Sequence, residues 1–113
     1  MTIRKINLED GLPTAAAAVT RLNAEILRAR AQRVRALKII HGWGSSGKGG
    51  VIRLEVHKEL RKKSRAGQIK AFVPGEELNP FSQSGRAALA LCPDLARDPD
   101  YSRNNAGVSF VVP

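Results

Sequence analysis

The 113-residue sequence has one cysteine, two histidines and no long run of apolar residues. Its single cysteine, Cys92, excludes an internal disulfide and a zinc site of paired cysteines, which is typical of a reducing compartment. No apolar run approaches the ~20 residues that cross a bilayer, and the first residues lack the apolar stretch of a secretion signal. We therefore expect a cytoplasmic protein without a membrane partner, and a small core residue at position 92.

Acidic residues are scarce in the middle of the chain, where the net charge of +9 is concentrated. Residues 1–27 carry three basic and three acidic side chains. Residues 28–70 carry thirteen basic and two acidic side chains, and residues 71–113 carry three basic and five acidic side chains. A concentrated positive surface favours a polyanionic partner, because each neutralised phosphate releases counterions. The charge pattern therefore indicates nucleic acid as the partner.

The apolar periodicity predicts strands alternating with helices, and hence one small α/β domain over residues 1–113. Two crossover helices join the first three strands, and a long insert over residues 76–106, with a short helix at 86–91, precedes the last strand. The predicted strands cover residues 3–8, 35–40, 69–73 and 108–112, and the predicted helices cover residues 13–32 and from about 51 to Gly67. No internal repeat is present, and we expect a monomer.

A glycine-rich loop lies between the second predicted strand and the second helix. It reads Gly42, Trp43, Gly44, Ser45, Ser46, Gly47, Lys48 and Gly49. The first seven residues satisfy the nucleotide-binding pattern G-x-x-x-x-G-K, but Gly49 stands where that motif needs a hydroxyl for magnesium. This departure excludes nucleotide hydrolysis, while the loop amides and Lys48 are suited to binding phosphate.

Further candidates surround this loop. His41, at the carboxyl end of a strand, is placed either for acid–base chemistry or for shaping the loop. Trp43 either stacks on a base or folds back over the sheet edge. His57 is expected on the surface of the second helix, and two histidines are too few to predict a metal site. The basic residues of that helix that we expect to contact phosphate are Arg53, Arg61, Lys62 and Lys63.

Several of these motifs together resemble the Smr (small MutS-related) domain family. The matching features are Ile39-Ile40-His41-Gly42-x-Gly44, then Gly49-Gly50-Val51-Ile52-Arg53, then an extended Ala71-Phe72. The resemblance implies a two-layer βαβαββ sandwich with a mixed four-stranded sheet and two helices. It also implies nucleic-acid binding, with DNA-nicking or RNA-cleaving activity in some members.

The first strand departs from the family pattern. Members that cut usually carry L-D-x-H-G there, whereas this chain has Asn7 where the acid is expected and Glu9 where the histidine is expected. The leading hypothesis is therefore nucleic-acid binding, to DNA or RNA, with family-type cleavage lost. The alternative is an endonuclease that uses His41 with Glu9 or Asp10, and only this alternative would call for a divalent metal. A third hypothesis is an interaction module that docks a partner through the insert.

Overall fold

A computed structural model of the chain describes residues 3–11, 13–43 and 48–113, with the side chains of residues 48 and 49 left out. Four strands and three α-helices follow one another along these residues. They are β1 (Ile3–Asn7), α1 (Ala15–Ala31), β2 (Ala36–Ile40), α2 (Lys48–Arg65), β3 (Ala71–Pro74), α3 (Gln83–Leu91) and β4 (Val108–Val112). Two short 3₁₀ turns, Gly75–Glu77 and Pro93–Arg97, flank α3.

The four strands form one mixed sheet in the order β1-β2-β4-β3. β1 pairs with β2 in parallel, and β4 pairs antiparallel with both β2 and β3. The last strand of the chain therefore lies between β2 and β3, and all five of its residues are buried. The predicted α/β class and mixed four-stranded sheet are confirmed.

Helices α1 and α2 cover one face of the sheet. Thr14 caps α1 by accepting a hydrogen bond from the Ala17 amide at 3.1 Å, as expected for a threonine that precedes a helix. The buried positions of α1 include Ala18, Leu22, Ile26 and Ala29, whereas Val19 is half-buried. Ile52, Val56 and Leu60 of α2 complete this core.

The insert covers the other face of the sheet, and its helix raises the number of α-helices to three, whereas the family resemblance implied two. Its helix α3 begins at residue 83 and not at 86, because the Ser82 hydroxyl caps it by accepting from the Gly85 amide at 2.8 Å. A second apolar core lies beneath the insert and contains Leu78, Ala88, Cys92, Leu95 and Phe110. Cys92 is buried and free, as predicted.

A buried cation ties the insert to the sheet. The Lys38 ammonium, on β2, lies 2.9 Å from Asp98 Oδ1 and 2.7 Å from Asp100 Oδ2, and its residue is only 7% exposed. Burial lowers the pKa of Lys38, but its hydrogen bonds to the Asp100 and Asp98 carboxylates outweigh that effect, and the pKa is raised overall. Two ion pairs therefore hold the insert to the sheet, in addition to apolar packing.

Within the described residues, none of the helices is long and apolar enough to cross a membrane.

Candidate nucleic-acid interface

His41 follows the last residue of β2 and is completely buried. Its Nδ1 lies 2.7 Å from the Gly42 carbonyl oxygen, and its Nε2 lies 2.8 Å from the Ser109 hydroxyl oxygen on β4. The amides of His41 and Gly42 both donate to the Gly107 carbonyl at 3.0 Å. These bonds fix the point where the glycine-rich loop leaves the sheet.

His57 of α2 reaches the same hydroxyl group from the helical side. Its Nε2 lies 2.9 Å from Ser109 Oγ, and its ring stands edge-on to the His41 ring at a centroid distance of 5.2 Å. The prediction of a surface position is wrong, since His57 is 6% exposed. The small Ser109 side chain leaves space for an imidazole between α2 and the sheet, and the apolar spacing of the helix gives no indication of that space.

The donors and acceptors of this network follow from its chemistry. A carbonyl oxygen only accepts, so His41 carries its proton on Nδ1, and its Nε2 must accept from the Ser109 hydroxyl. That hydroxyl has one hydrogen, so it accepts in turn from His57 Nε2–H. The resulting chain of donors runs from His57 through Ser109 and His41 to the Gly42 carbonyl, and it requires a neutral His41 ring, because one nitrogen of that ring donates and the other accepts.

The electrostatic environment keeps both rings neutral. Burial is the main reason that the pKa of His57 falls to about 4, and His41 and Arg53 lower it further. Burial also lowers the pKa of His41, against the opposing effect of its bond to the Gly42 carbonyl. The lowered pKa values favour the neutral form of both histidines at pH 7, and their hydrogen bonds join the start of the loop, β4 and α2.

We expect Ser109→Ala to lower the free energy of unfolding by about 2 kcal/mol, because it leaves a buried donor on His57 and a buried acceptor on His41 without partners. Urea unfolding at pH 7.5 measures the effect. Ser64→Ala, at an exposed position of α2, is the control and should change stability by less than about 0.5 kcal/mol. Equal effects of the two substitutions would contradict the proposed bonding.

The acidic candidates after β1 occupy different environments. Glu9 is half-buried and lies against Gly42: a methyl group on Gly42 would come within 2.3 Å of Glu9 Oε2. With φ at +74°, Gly42 occupies the left-handed region that favours glycine. Asp10 is exposed. The Asn7 side-chain oxygen accepts a hydrogen bond from the Glu9 amide at 2.9 Å, and this bond stabilises a turn.

The structure therefore brings Glu9 against Gly42 at the start of the loop, whereas the Asp10 side chain is exposed. The His41 ring extends toward Ser109 on β4, whereas Glu9 follows β1 on the other side of β2. Among the described residues, no group of three or more histidine, cysteine or acidic side chains could hold a metal ion.

Much of the loop lies outside the described residues, namely Gly44, Ser45, Ser46 and Gly47, and so do the side chains of Lys48 and Gly49. Trp43, at its start, is 66% exposed. The edge of its indole lies near Gly107, just before β4, where a methyl group on Gly107 would come within 3.5 Å of Trp43 Cδ1. Its exposed face is available for stacking on a base.

The basic residues of α2 divide into two groups. Arg53 forms an ion pair with Glu76 at 2.6 Å and donates to the Ala106 carbonyl, so it fastens the insert. Lys63 lies 3.7 Å from Glu59 and is largely covered. Arg61 and Lys62 are exposed, as expected for a contact surface.

Two further cations, Lys58 and Arg65, extend the exposed pair into a stripe. The four residues Lys58, Arg61, Lys62 and Arg65 follow the helical spacing i, i+3, i+4, i+7, and they lie side by side on the solvent face of α2. Among the described residues, none of the four makes an ion pair within 4.0 Å. This α2 stripe could have been found from its spacing alone.

Comparison with known proteins supports a family assignment. The Smr domain family model matches residues 11–79. The fold is similar to the crystal structure of the Smr domain of Thermus thermophilus MutS2, with a TM-score of 0.59 and 21% sequence identity over 96% of this chain and 95% of that chain. No curated protein matches the sequence. Since the family model matches more than half of the 113 residues, the chain belongs to the Smr domain family.

Proposed function

We propose that this Smr domain binds the phosphate backbone of nucleic acid. The contact surface consists of the α2 stripe and the glycine-rich stretch over residues 42–50, whose last three residues begin α2. The observation that carries the proposal is the α2 stripe: four exposed cations on one helix face without an acidic neighbour in ion-pair contact in the described part of the chain. Such a surface attracts a polyanion with little sequence preference. The loop is included on its sequence, because its amides and Trp43 suit phosphate and base contacts.

The proposal also includes the loss of cleavage through His41. A general base must reach the proton that it abstracts, and in this structure the His41 ring is completely buried with both nitrogens bonded. Asn7, in the place of the family acid, is an amide and cannot act as a base. The alternative endonuclease would have to use Glu9, which lies beside Gly42.

We expect Arg61→Gln/Lys62→Gln/Arg65→Gln to weaken binding to duplex DNA and duplex RNA on the order of 100-fold at 0.1 M salt. On B-DNA, each lost phosphate contact reduces the slope of log K against log salt concentration by about 0.9. Fluorescence anisotropy over a salt series measures the slope, which should fall by about 3 on DNA. Circular dichroism establishes that the variant is folded.

The matched control is Arg86→Gln/Arg97→Gln/Arg103→Gln, which removes the same charge from exposed positions of the insert. Wild-type protein that shows no salt-dependent binding, or equal losses in the two triple variants, would overturn the proposed contact surface. The same probes, labelled at one end and incubated with and without magnesium, test cleavage. Cutting that is lost in Glu9→Gln would overturn the proposed loss of activity in favour of the endonuclease.

A further inference from the structure

A cationic groove of about 440 Å³ opens at the end of the sheet where β2 begins. Four basic side chains from three parts of the chain line it: Arg30, Arg33, Arg35 and Lys70. Leu91 and Val112 contribute apolar surface between them. No acidic side chain lines the groove. All four of its cations belong to residues 28–70, the basic part of the chain, and none of them lies on α2.

The groove and the glycine-rich loop lie at opposite ends of the sheet. Arg33 and Arg35 precede the first residue of β2, whereas the loop follows its last residue, and the five residues between them extend about 17 Å. Lys70 precedes β3, which runs parallel to β2. None of the groove cations belongs to the loop or to α2, so this surface is separate from the one proposed above.

These cations are available to a ligand. Arg33, Arg35 and Lys70 are exposed, and among the described residues none of the four groove cations makes an ion pair with a carboxylate within 4.0 Å. Arg30 donates from Nη1 to the Gln68 carbonyl at 2.7 Å, which fixes its position at the groove. That bond also shows that the carboxyl end of α2 lies at the same end of the domain as the groove.

Arg33 occupies a position that normally favours glycine. Both long helices end in the same way: the Arg33 and Val34 amides bond back to the Arg30 and Ala29 carbonyls after α1, and the Gly67 and Gln68 amides bond back to the Ser64 and Lys63 carbonyls after α2. This is the Schellman motif, whose left-handed residue is usually glycine. Gly67 has φ +71° and Arg33 has φ +57°, so the chain carries a strained arginine where it elsewhere uses glycine.

We propose that the groove is a second phosphate-binding site, which holds the sugar-phosphate backbone of the nucleic acid that lies along α2. Guanidinium groups match phosphate oxygens in a bidentate manner, and the apolar surface of Leu91 and Val112 suits a sugar face. Nucleic acid is favoured over an acidic peptide because its condensed counterions are released on binding. α2 spans about 27 Å, or roughly eight base pairs of duplex, so one strand of backbone can run from the loop to the groove.

This inference rests on the proposed function, and the test separates the two. Arg33→Gly/Arg35→Gln should reduce the salt slope for duplex DNA by about 2, because each removed phosphate contact reduces it by about 1. Arg97→Gln/Arg103→Gln removes the same charge from the insert and should leave the slope unchanged. If the salt slope falls in the α2 stripe variant but not in the groove variant, the groove assignment is wrong and the proposed function stands.

Arg33→Gly alone distinguishes ligand binding from a structural role. It should raise the Tm by about 4 °C, because glycine relieves the left-handed residue, and should still lower the salt slope by about 1. A lower Tm together with weaker binding would assign Arg33 a structural role and overturn the proposal.

Nuclear magnetic resonance titrations identify the source of the phosphate chemistry. Duplex DNA should shift the amide signals of residues 33–35 and 70 at concentrations where inorganic phosphate and polyglutamate do not. Saturation of these signals by inorganic phosphate at the same concentrations would reassign the groove to a small anion. Equal competition by polyglutamate would reassign it to an acidic peptide, and either result would overturn the assignment to nucleic acid.

Discussion

Lys38→Met should lower the free energy of unfolding by about 3–5 kcal/mol, because it leaves the carboxylates of Asp98 and Asp100 at the sheet surface without their cation. The loss is a large part of the 5–15 kcal/mol by which a domain is usually stable. It should act on the insert first, since Lys38 is the ionic link between β2 and the residues that follow α3. Urea unfolding gives the total, and hydrogen exchange shows which amides open.

Lys5→Met is the matched control for this prediction. Lys5 lies on β1 directly beside Lys38 in the sheet register, but it is exposed. The same substitution there should change stability by less than about 0.5 kcal/mol. A triple variant, Lys38→Met/Asp98→Asn/Asp100→Asn, should recover part of the loss, because it removes the buried unpaired charge. Equal stability of the two single variants would contradict the role given to Lys38.

Acid should destabilise the domain between pH 6.5 and pH 4 through His57. Its pKa is about 4 in the folded protein, compared with the ordinary value of 6.5 that applies to the unfolded chain. The unfolded chain therefore binds more protons in this interval, and stability falls as the pH falls. The full stabilisation is present above pH 6.5, and the loss approaches about 3 kcal/mol at pH 4. His41, whose pKa is also lowered, adds to the loss in the same direction.

Urea unfolding at half-unit steps from pH 7.5 to pH 4 measures this dependence in the wild type and in His57→Gln. Glutamine keeps an amide donor for the Ser109 hydroxyl and does not titrate, so the slope over this interval should become shallower. The pKa of Asp100 is lowered by its bond to Lys38, but that carboxylate is protonated only below its ordinary value of 3.8 and lies outside the interval. An unchanged slope in His57→Gln would contradict the assignment.

The elements that sequence predicted best are those whose signals are local. The periodicity of α1 and α2 depends on one helix face meeting an apolar surface, and the start of the glycine-rich loop is marked by residues next to one another in the chain. The family pattern around His41-Gly42 and the family-model match over residues 11–79 rest on the same local features. The cationic stripe could have been predicted in the same way, since helical spacing alone places its members on one face. The prediction from sequence included Arg61 and Lys62 but named Arg53 and Lys63 in place of Lys58 and Arg65.

The bonding around the loop could not be predicted in the same way. The basic neighbours of His57 in the sequence predict a surface position, yet His57 is buried against a serine 52 positions later. Lys38 belongs to a strand that the sequence predicts as apolar, and its two carboxylate partners lie in the insert, for which the sequence predicts no contact with the sheet. Such partners are set by strand order and sheet coverage, which sequence spacing does not encode.

By itself, the sequence determined the α/β class, the glycine-rich loop, the uneven distribution of charge and the altered Asn7 and Glu9 of the first strand, because each depends on residues that are near one another in the chain. The tertiary structure decided the rest. It placed β4 between β2 and β3, and so brought Ser109 between His41 and His57. It also gathered Arg30, Arg33, Arg35 and Lys70 at one end of the sheet. The physical reason is that long-range strand pairing, which local propensity leaves open, selects which distant side chains meet.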